Sequence, residues 1–243
     1  MNKAVVLGCN YYIGLSIIRC LGREGIHVVA CDYDFDNSYG AKSKYISEFL
    51  KIDNLNKFGE EAFVGLIEYG KKQEEKPVLL PTHDKYVEFI DEYYDELEKY
   101  YLISQAKGLN SKLLDKWTLY DIAKENGVKI PATINANDEN LLKRIQDEVG
   151  FPCIIKPVDT VKFTKIFRNK VFICNNIEEM ENGIKKAKDN DIEIFIQEIV
   201  PGFDDCMLTY DYYIDKNGKT THYMTAQKQR QWPINFGASC FTI

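Results

Sequence analysis

Two stretches decide how this chain is read: FPCIIKPVD at Phe151–Asp159 and IFIQEIVPGFDD at Ile194–Asp205. Each begins as an apolar run of strand length, and each ends in groups that are costly to bury without a partner. The first closes on Lys156, with Pro157 immediately after it. The second runs into Gln197 and Glu198, turns at Val200-Pro201-Gly202 and then places Asp204 and Asp205 in succession. A lysine at a strand end suits phosphate as a point charge. An extended hinge offers alternate side chains and backbone groups to the edge of a base, with an acid at ribose distance. Together the two segments have the character of the walls of a nucleotide slot, and ATP is the expected ligand. The competing readings are a lysine that snorkels to solvent and an acidic strand end.

Between these walls, VDTVKFTKIFRNK (Val158–Lys170) reads as a basic loop carrying Lys162, Lys165, Arg168 and Lys170 without a glycine. As a cover over phosphates it would act through its charge and the Thr160 hydroxyl. It is equally a surface hairpin. Further on, Lys228 and Arg230 in TAQKQRQWP are two apart, so in a strand they share a face. Two cations beside an aromatic suit a carboxylate or phosphate oxyanion, or simply form a solvated edge. PINFGAS (233–239) reads as a polar active-site turn.

Upstream, strand and helix signals alternate. KAVVL (3–7), IHVVAC (26–31), 45–49, 78–80 and 101–104 read as strands; 13–22, 58–72 and 86–100 read as helices. That order predicts a parallel sheet with helices on its faces. Gly8, Gly14 and Asp32 resemble a dinucleotide fingerprint only superficially, because the spacing is not G-x-G-x-x-G. Thr82, His83 and Asp84 follow the strand VLLP, where α/β proteins bind ligands. They are candidates for substrate contact, and Thr82 or Asp84 is equally a helix cap. Lys116 sits early in a helix predicted over 112–126, where a solvated lysine is the ordinary reading. Downstream, 131–134, 152–156, 170–174 and 193–199 read as strands and 139–149 and 177–188 as helices, a small α+β unit. A hairpin follows at 210–215 and 220–225.

The 243 residues are 45% hydrophobic and 28% charged, with a net charge of -6. The acidic balance argues against nucleic acid as a partner. No apolar run is long enough to span a membrane. Seven dispersed cysteines lack zinc spacing and read as reduced thiols. The N-terminus enters a strand pattern directly, without room for a signal peptide. The expected location is cytoplasmic.

The order lysine, cover, hinge, acid resembles the ATP-grasp superfamily of carboxylate–amine ligases, above all D-aspartate ligase-like and carbamoyl-phosphate-synthase-like proteins. The resemblance covers nearly the whole chain. It implies an α/β fold in two parts: a Rossmann-like pre-ATP-grasp domain over 1–108 and an ATP-grasp domain over 109–243. The second part would hold a lid subdomain over about 128–199 and the beginning of a catalytic subdomain from 200. Lys116 and Lys156 would contact ATP phosphates, Lys156 also lying near adenine. Gln197 or Glu198 would take the adenine amino group, Ile199 and Val200 would offer backbone bonds, and Asp204 or Asp205 would hold ribose. Arg230 would stabilise the transferred phosphoryl group.

The implied chemistry joins a small carboxylate to an amine through an acyl phosphate, with magnesium bridging phosphates. Trp232–Ile243 contains no Asp or Glu, so the magnesium ligands are expected beyond Ile243. On that expectation the chain is truncated and inactive alone. A cut catalytic sheet would expose an apolar edge suited to homodimerisation. The alternatives are a non-catalytic nucleotide- or metabolite-binding module and, on Gly8, Gly14 and Asp32, an NAD-dependent oxidoreductase.

Overall fold

The computed structural model describes residues 2–55, 57–232, 234 and 237–243, the side chains of Asn110 and Ser111 excepted. The chain forms two compact units, Met1–Asn126 and Gly127–Ile243.

In the first unit β1 (Ala4–Leu7), β2 (Val28–Asp32), β3 (Glu48–Lys51), β4 (Val78–Pro81) and β5 (Leu102–Ile103) form a wholly parallel sheet in the order β3-β2-β1-β4-β5. β1 and β2 are apolar at nearly every position and buried throughout, as central parallel strands covered on both faces must be. Helix α1 (Tyr12–Arg23) presents Gly14 and Ile18 to the sheet, and α2 (Gly59–Lys71) presents Ala62, Leu66 and Tyr69. The predicted helix over 86–100 is two helices, α3 (Asp84–Glu92) and α4 (Tyr94–Leu97), divided at Tyr93. The helix over 112–126 is likewise α5 (Leu109–Leu114) and α6 (Lys116–Glu125). Asp115 breaks it by acting as the N-cap of α6, its carboxylate accepting from Thr118 N at 2.8 Å. These last helices group with the first unit, beyond the boundary expected at 108.

Order reversal in the sheet places a topological switch point between β1 and β4, where side chains beyond the strand ends border a crevice. The β1–α1 turn there is built by close approach. A Cβ on Gly14 would lie 2.1 Å from Gly8 O, and one on Gly40 would lie 1.8 Å from Cys9 O.

The second unit holds a four-stranded sheet in the order β6-β9-β7-β8: β6 (Thr133–Asn135), β9 (Ile194–Glu198), β7 (Cys153–Pro157) and β8 (Phe172–Cys174). Pairing is antiparallel throughout. Its core face carries Ile134, Cys153, Ile155, Ile194 and Ile196. Helix α9 (Ile177–Lys188) packs there with Met180, Ile184 and Ala187, and Gly183 lets it sit on Ile155. The helical segment at 139–149 is the short α7 (Leu141–Arg144) running into a π turn, Ile145–Val149.

The basic loop expected over Val158–Lys170 is instead largely a helix, α8 (Thr160–Phe167). Asp159 caps it, one carboxylate oxygen accepting from Val161 N and Lys162 N, both at 2.9 Å. Phe163, Phe167 and Phe172 pack with ring centroids 4.8 to 4.9 Å apart. A cap plus an apolar stripe outweighs the basic content that suggested a loop.

A second sheet pairs β10 (Leu208–Ile214), β11 (Thr220–Trp232) and β12 (Ala238–Thr242) antiparallel. β10 and β12 are exposed along their whole length. Of the expected active-site turn PINFGAS, Pro233, Asn235 and Phe236 lie outside the described residues.

Candidate nucleotide site

The register of the four-stranded sheet sorts the candidate residues by face. Lys156 pairs with Phe195, Ile154 with Gln197, and Gln197 with Thr133. Because side chains alternate, these residues share the face opposite the core. Glu198 pairs with Cys153 and so has the other parity; of the two adenine candidates, Gln197 is the one on the side of Lys156.

A polar row crosses three strands on that face. Lys156 Nζ donates to Gln197 Oε1 at 3.0 Å, and Gln197 Nε2 donates to Thr133 Oγ1 at 2.8 Å. Gln197 is buried, so both ends of its amide need partners, and the row supplies them. Lys156 is half-buried and lies 6.0 Å from the Phe195 ring centroid. A cation, an amide, a hydroxyl and an aromatic on one sheet face fit the phosphates and base of ATP. Beyond β9 the hinge leaves the sheet, with Ile199 half-buried and Val200 exposed.

The acids of the hinge are held by glutamines of β11. Asp204 and Asp205 form a 3-10 turn with Cys206. Gln231 Nε2 donates to Asp204 Oδ1 at 2.5 Å, and Gln227 Nε2 donates to the Asp205 carbonyl at 2.7 Å. Gln231 also accepts from Lys228 Nζ at 3.0 Å, which links Lys228 to Asp204 through one side chain. Gly202 has φ of +136°, and a Cβ there would lie 3.0 Å from that of Cys206. The expectation that Lys228 and Arg230 share a face is corrected by a register shift between them: Lys228 is buried and Arg230 exposed. Thr133, Gln227 and Gln231 were not singled out from the sequence. Neutral residues carry little signal alone, although Gln231 falls within the quoted TAQKQRQWP.

Among the described residues no group of three or more His, Cys, Asp or Glu is arranged to hold a metal ion. The described residues do not fit a resident magnesium.

In the first unit, Thr82 is buried and donates from Oγ1 to Leu7 O at 2.7 Å, tying β4 to β1 beneath the switch point. The cap of α3 is neither Thr82 nor Asp84 but His83, whose Nδ1 accepts from Lys85 N at 3.1 Å. Asp84 opens α3 and is exposed. Asp32 is buried, with Oδ2 accepting from Cys9 N and Oδ1 from Tyr33 N, both at 2.8 Å. Its carboxylate braces two turns of the fold, which weakens the dinucleotide reading. Lys116 is the first residue of α6, half-buried. It belongs to the first unit, whereas Lys156 and Gln197 belong to the second.

No family model matches the chain. It is similar to D-aspartate ligase of Enterococcus faecium, 25% identical over 151 residues, covering 58% of this chain and 36% of that protein. It is also similar to formate-dependent phosphoribosylglycinamide formyltransferase of Bacteroides fragilis, 29% identical over 163 residues, covering 65% of this chain and 38% of that protein. Among solved structures, N5-carboxyaminoimidazole synthetase from Staphylococcus aureus, complexed with ADP, matches with a TM-score of 0.64 at 16% identity. That match covers 95% of this chain and 55% of the neighbour. The matched part thus amounts to little more than a third of each of these curated relatives and about half of the solved neighbour. These matches bear out the superfamily resemblance and the α/β fold that it implies. No helix among the described residues is long and apolar enough to cross a membrane.

Proposed function

We propose, from this chain's kinship with the ATP-grasp carboxylate–amine ligases, that it carries the ATP-binding part of an ATP-dependent ligase acting on an amino acid or another small carboxylate, in the manner of D-aspartate ligase. The observation that carries the reading is the Lys156–Gln197–Thr133 row on the face of the lid sheet turned away from its core. Lys156 would meet phosphate, Gln197 the adenine amino group, and the backbone of Ile199 and Val200 the ring edge. Asp204 or Asp205 would hold ribose. Lys116 is assigned to phosphate by resemblance alone. Arg230 would face the transferred phosphoryl group, with Lys228 positioned through Gln231.

In the proposed reaction a carboxylate oxygen of the substrate attacks the terminal phosphorus and ADP leaves. An amine nitrogen then attacks the acyl carbon and phosphate leaves. Positioning and charge neutralisation are the chain's own contribution. Thr82, His83 and Asp84, at the switch point of the first unit, are the proposed substrate contacts. Leu208, Tyr210, Tyr212 and Tyr223, exposed on the second sheet, are the surface a homodimer would use.

The test is ATP titration by calorimetry on the chain and on Lys156→Ala. The expected result is affinity reduced about tenfold or more, the range for losing a charge-assisted hydrogen bond. Equal affinity in the variant would refute the assignment of the slot.

A further inference from the structure

The first unit carries a concave feature, remote in sequence from the strands of the proposed nucleotide slot. A cavity of about 360 Å³ lies between α1 and residues 39–45, lined by Arg19, Tyr39, Lys42, Ser43, Lys44 and Tyr45 among others. That volume is within the range of about 300–1,000 Å³ in which small molecules are bound. Three of the lining residues are cations and none is a carboxylate, in a chain with 37 acidic and 31 basic residues.

Some basic side chains of the first unit find acids: Lys3 pairs with Glu48, Lys85 with Glu88, and Lys107 with Asp95. Arg19, Lys42 and Lys44 make no ion pair among the described residues. Like charges gathered without an acid repel one another, and a bound anion removes that cost.

The wall is built rather than loose. Gly40 seats the 39–42 turn on the Cys9 carbonyl, and Gly22 seats Tyr45 on α1, where a Cβ would lie 2.4 Å from that of Tyr45. Lys44 Nζ stands 5.3 Å from the Tyr45 ring centroid. Arginine supplies a planar fork, the lysines supply point charges, and the hydroxyls of Ser43 and Tyr39 supply neutral donors.

We propose that this cavity binds a small phosphate-bearing molecule, independently of the nucleotide slot of the second unit. The experiment titrates the whole chain with inorganic pyrophosphate, by calorimetry and by amide NMR shifts. It is repeated on Arg19→Ala/Lys42→Ala, on Arg19→Lys and on Lys156→Ala. Arg19 and Lys42 are exposed, and near-UV circular dichroism verifies that the variants keep the fold.

The expected result is saturable binding with Kd of about 1 mM or tighter. Binding should weaken tenfold or more in the double variant and persist in Arg19→Lys and Lys156→Ala, with shifts centred on residues 39–45. Three results would overturn the proposal: binding unchanged in the double variant, shifts confined to 153–157 with loss in Lys156→Ala, or no saturation, which marks an adventitious anion only.

Discussion

Lys156 and Gln197 stand on adjacent antiparallel strands, two residues out of direct register, and the ammonium of the first donates to the amide oxygen of the second at 3.0 Å. The bond is diagonal, which is why both side chains must lie on one face. It joins the two sequence segments from which a nucleotide slot was read, 41 residues apart.

Thr133→Val tests the row from its far end. The substitution keeps the side-chain shape and removes an acceptor of Gln197 Nε2. The expected cost is about 1–2 kcal/mol in urea unfolding. ATP affinity should fall with it, because the amide orientation is then held less firmly. Calorimetry on the folded variant separates the two effects.

Gln231→Ala removes the single side chain shared by buried Lys228 and Asp204. Loss of a polar partner for a buried cation is expected to cost about 2–3 kcal/mol, read as a lower urea midpoint at unchanged slope. A Gln227→Ala variant, which releases only the Asp205 carbonyl, should lose about 1 kcal/mol.

Gly14→Ala places a methyl group where Gly8 O already stands, 2.1 Å away. Backbone cannot rotate aside as a side chain can, so the expected loss is about 3 kcal/mol or more. Gly25→Ala is a comparison of another kind: nothing lies within 4 Å of its Cβ, and only the positive φ of 72° is strained. It should cost about 1 kcal/mol. Thermal unfolding of the pair measures packing against backbone strain.

Burial, reinforced by the charge of Asp32, pushes the Cys9 thiol up to about 12 against a smaller opposing bond from Ser38. At neutral pH it is a poor nucleophile. Iodoacetamide at pH 7.5 should modify exposed Cys20, Cys206 and Cys240 first and reach Cys9 only on unfolding, as mass spectrometry of tryptic peptides will show.

Glu48 reports on acid stability. Burial pushes its carboxyl up, but hydrogen bonds from Lys3, His27 and Tyr69 outweigh it and hold the group below the usual carboxylate range. A depressed folded pKa adds stability above the unfolded value, and that stability is lost as pH falls through the folded value. Glu48→Gln should therefore flatten the decline in unfolding free energy below about pH 4.5. At pH 7 it should cost under about 1 kcal/mol, since the pair is about a third exposed.

The parallel sheet of the first unit was legible because central strands such as VVACD and AVVL are apolar without alternation. The pairing of Lys156 with Gln197 was foreshadowed because both end apolar runs. The split at Asp115 was obscured because apolar periodicity continues across it, and a single side-chain cap decides the break. The helix at Thr160–Phe167 was hidden for a related reason: its two phenylalanines meet Phe172 of β8 only after the chain folds, while its charges are visible at once. Register shifts left no mark in the residues, so the parity argued for Lys228 and Arg230 failed.

Asp159 caps α8 three residues after Lys156, so that strand, cap and helix follow one another without an intervening loop. A step of this kind acts as a lever. The Phe163–Phe167–Phe172 cluster fastens α8 to β8, the strand that pairs with β7, so β7, α8 and β8 form one braced piece rather than a run of independent residues. Loosening that cluster would unbrace the Lys156 end of β7 from a distance, without altering any side chain of the Lys156–Gln197–Thr133 row.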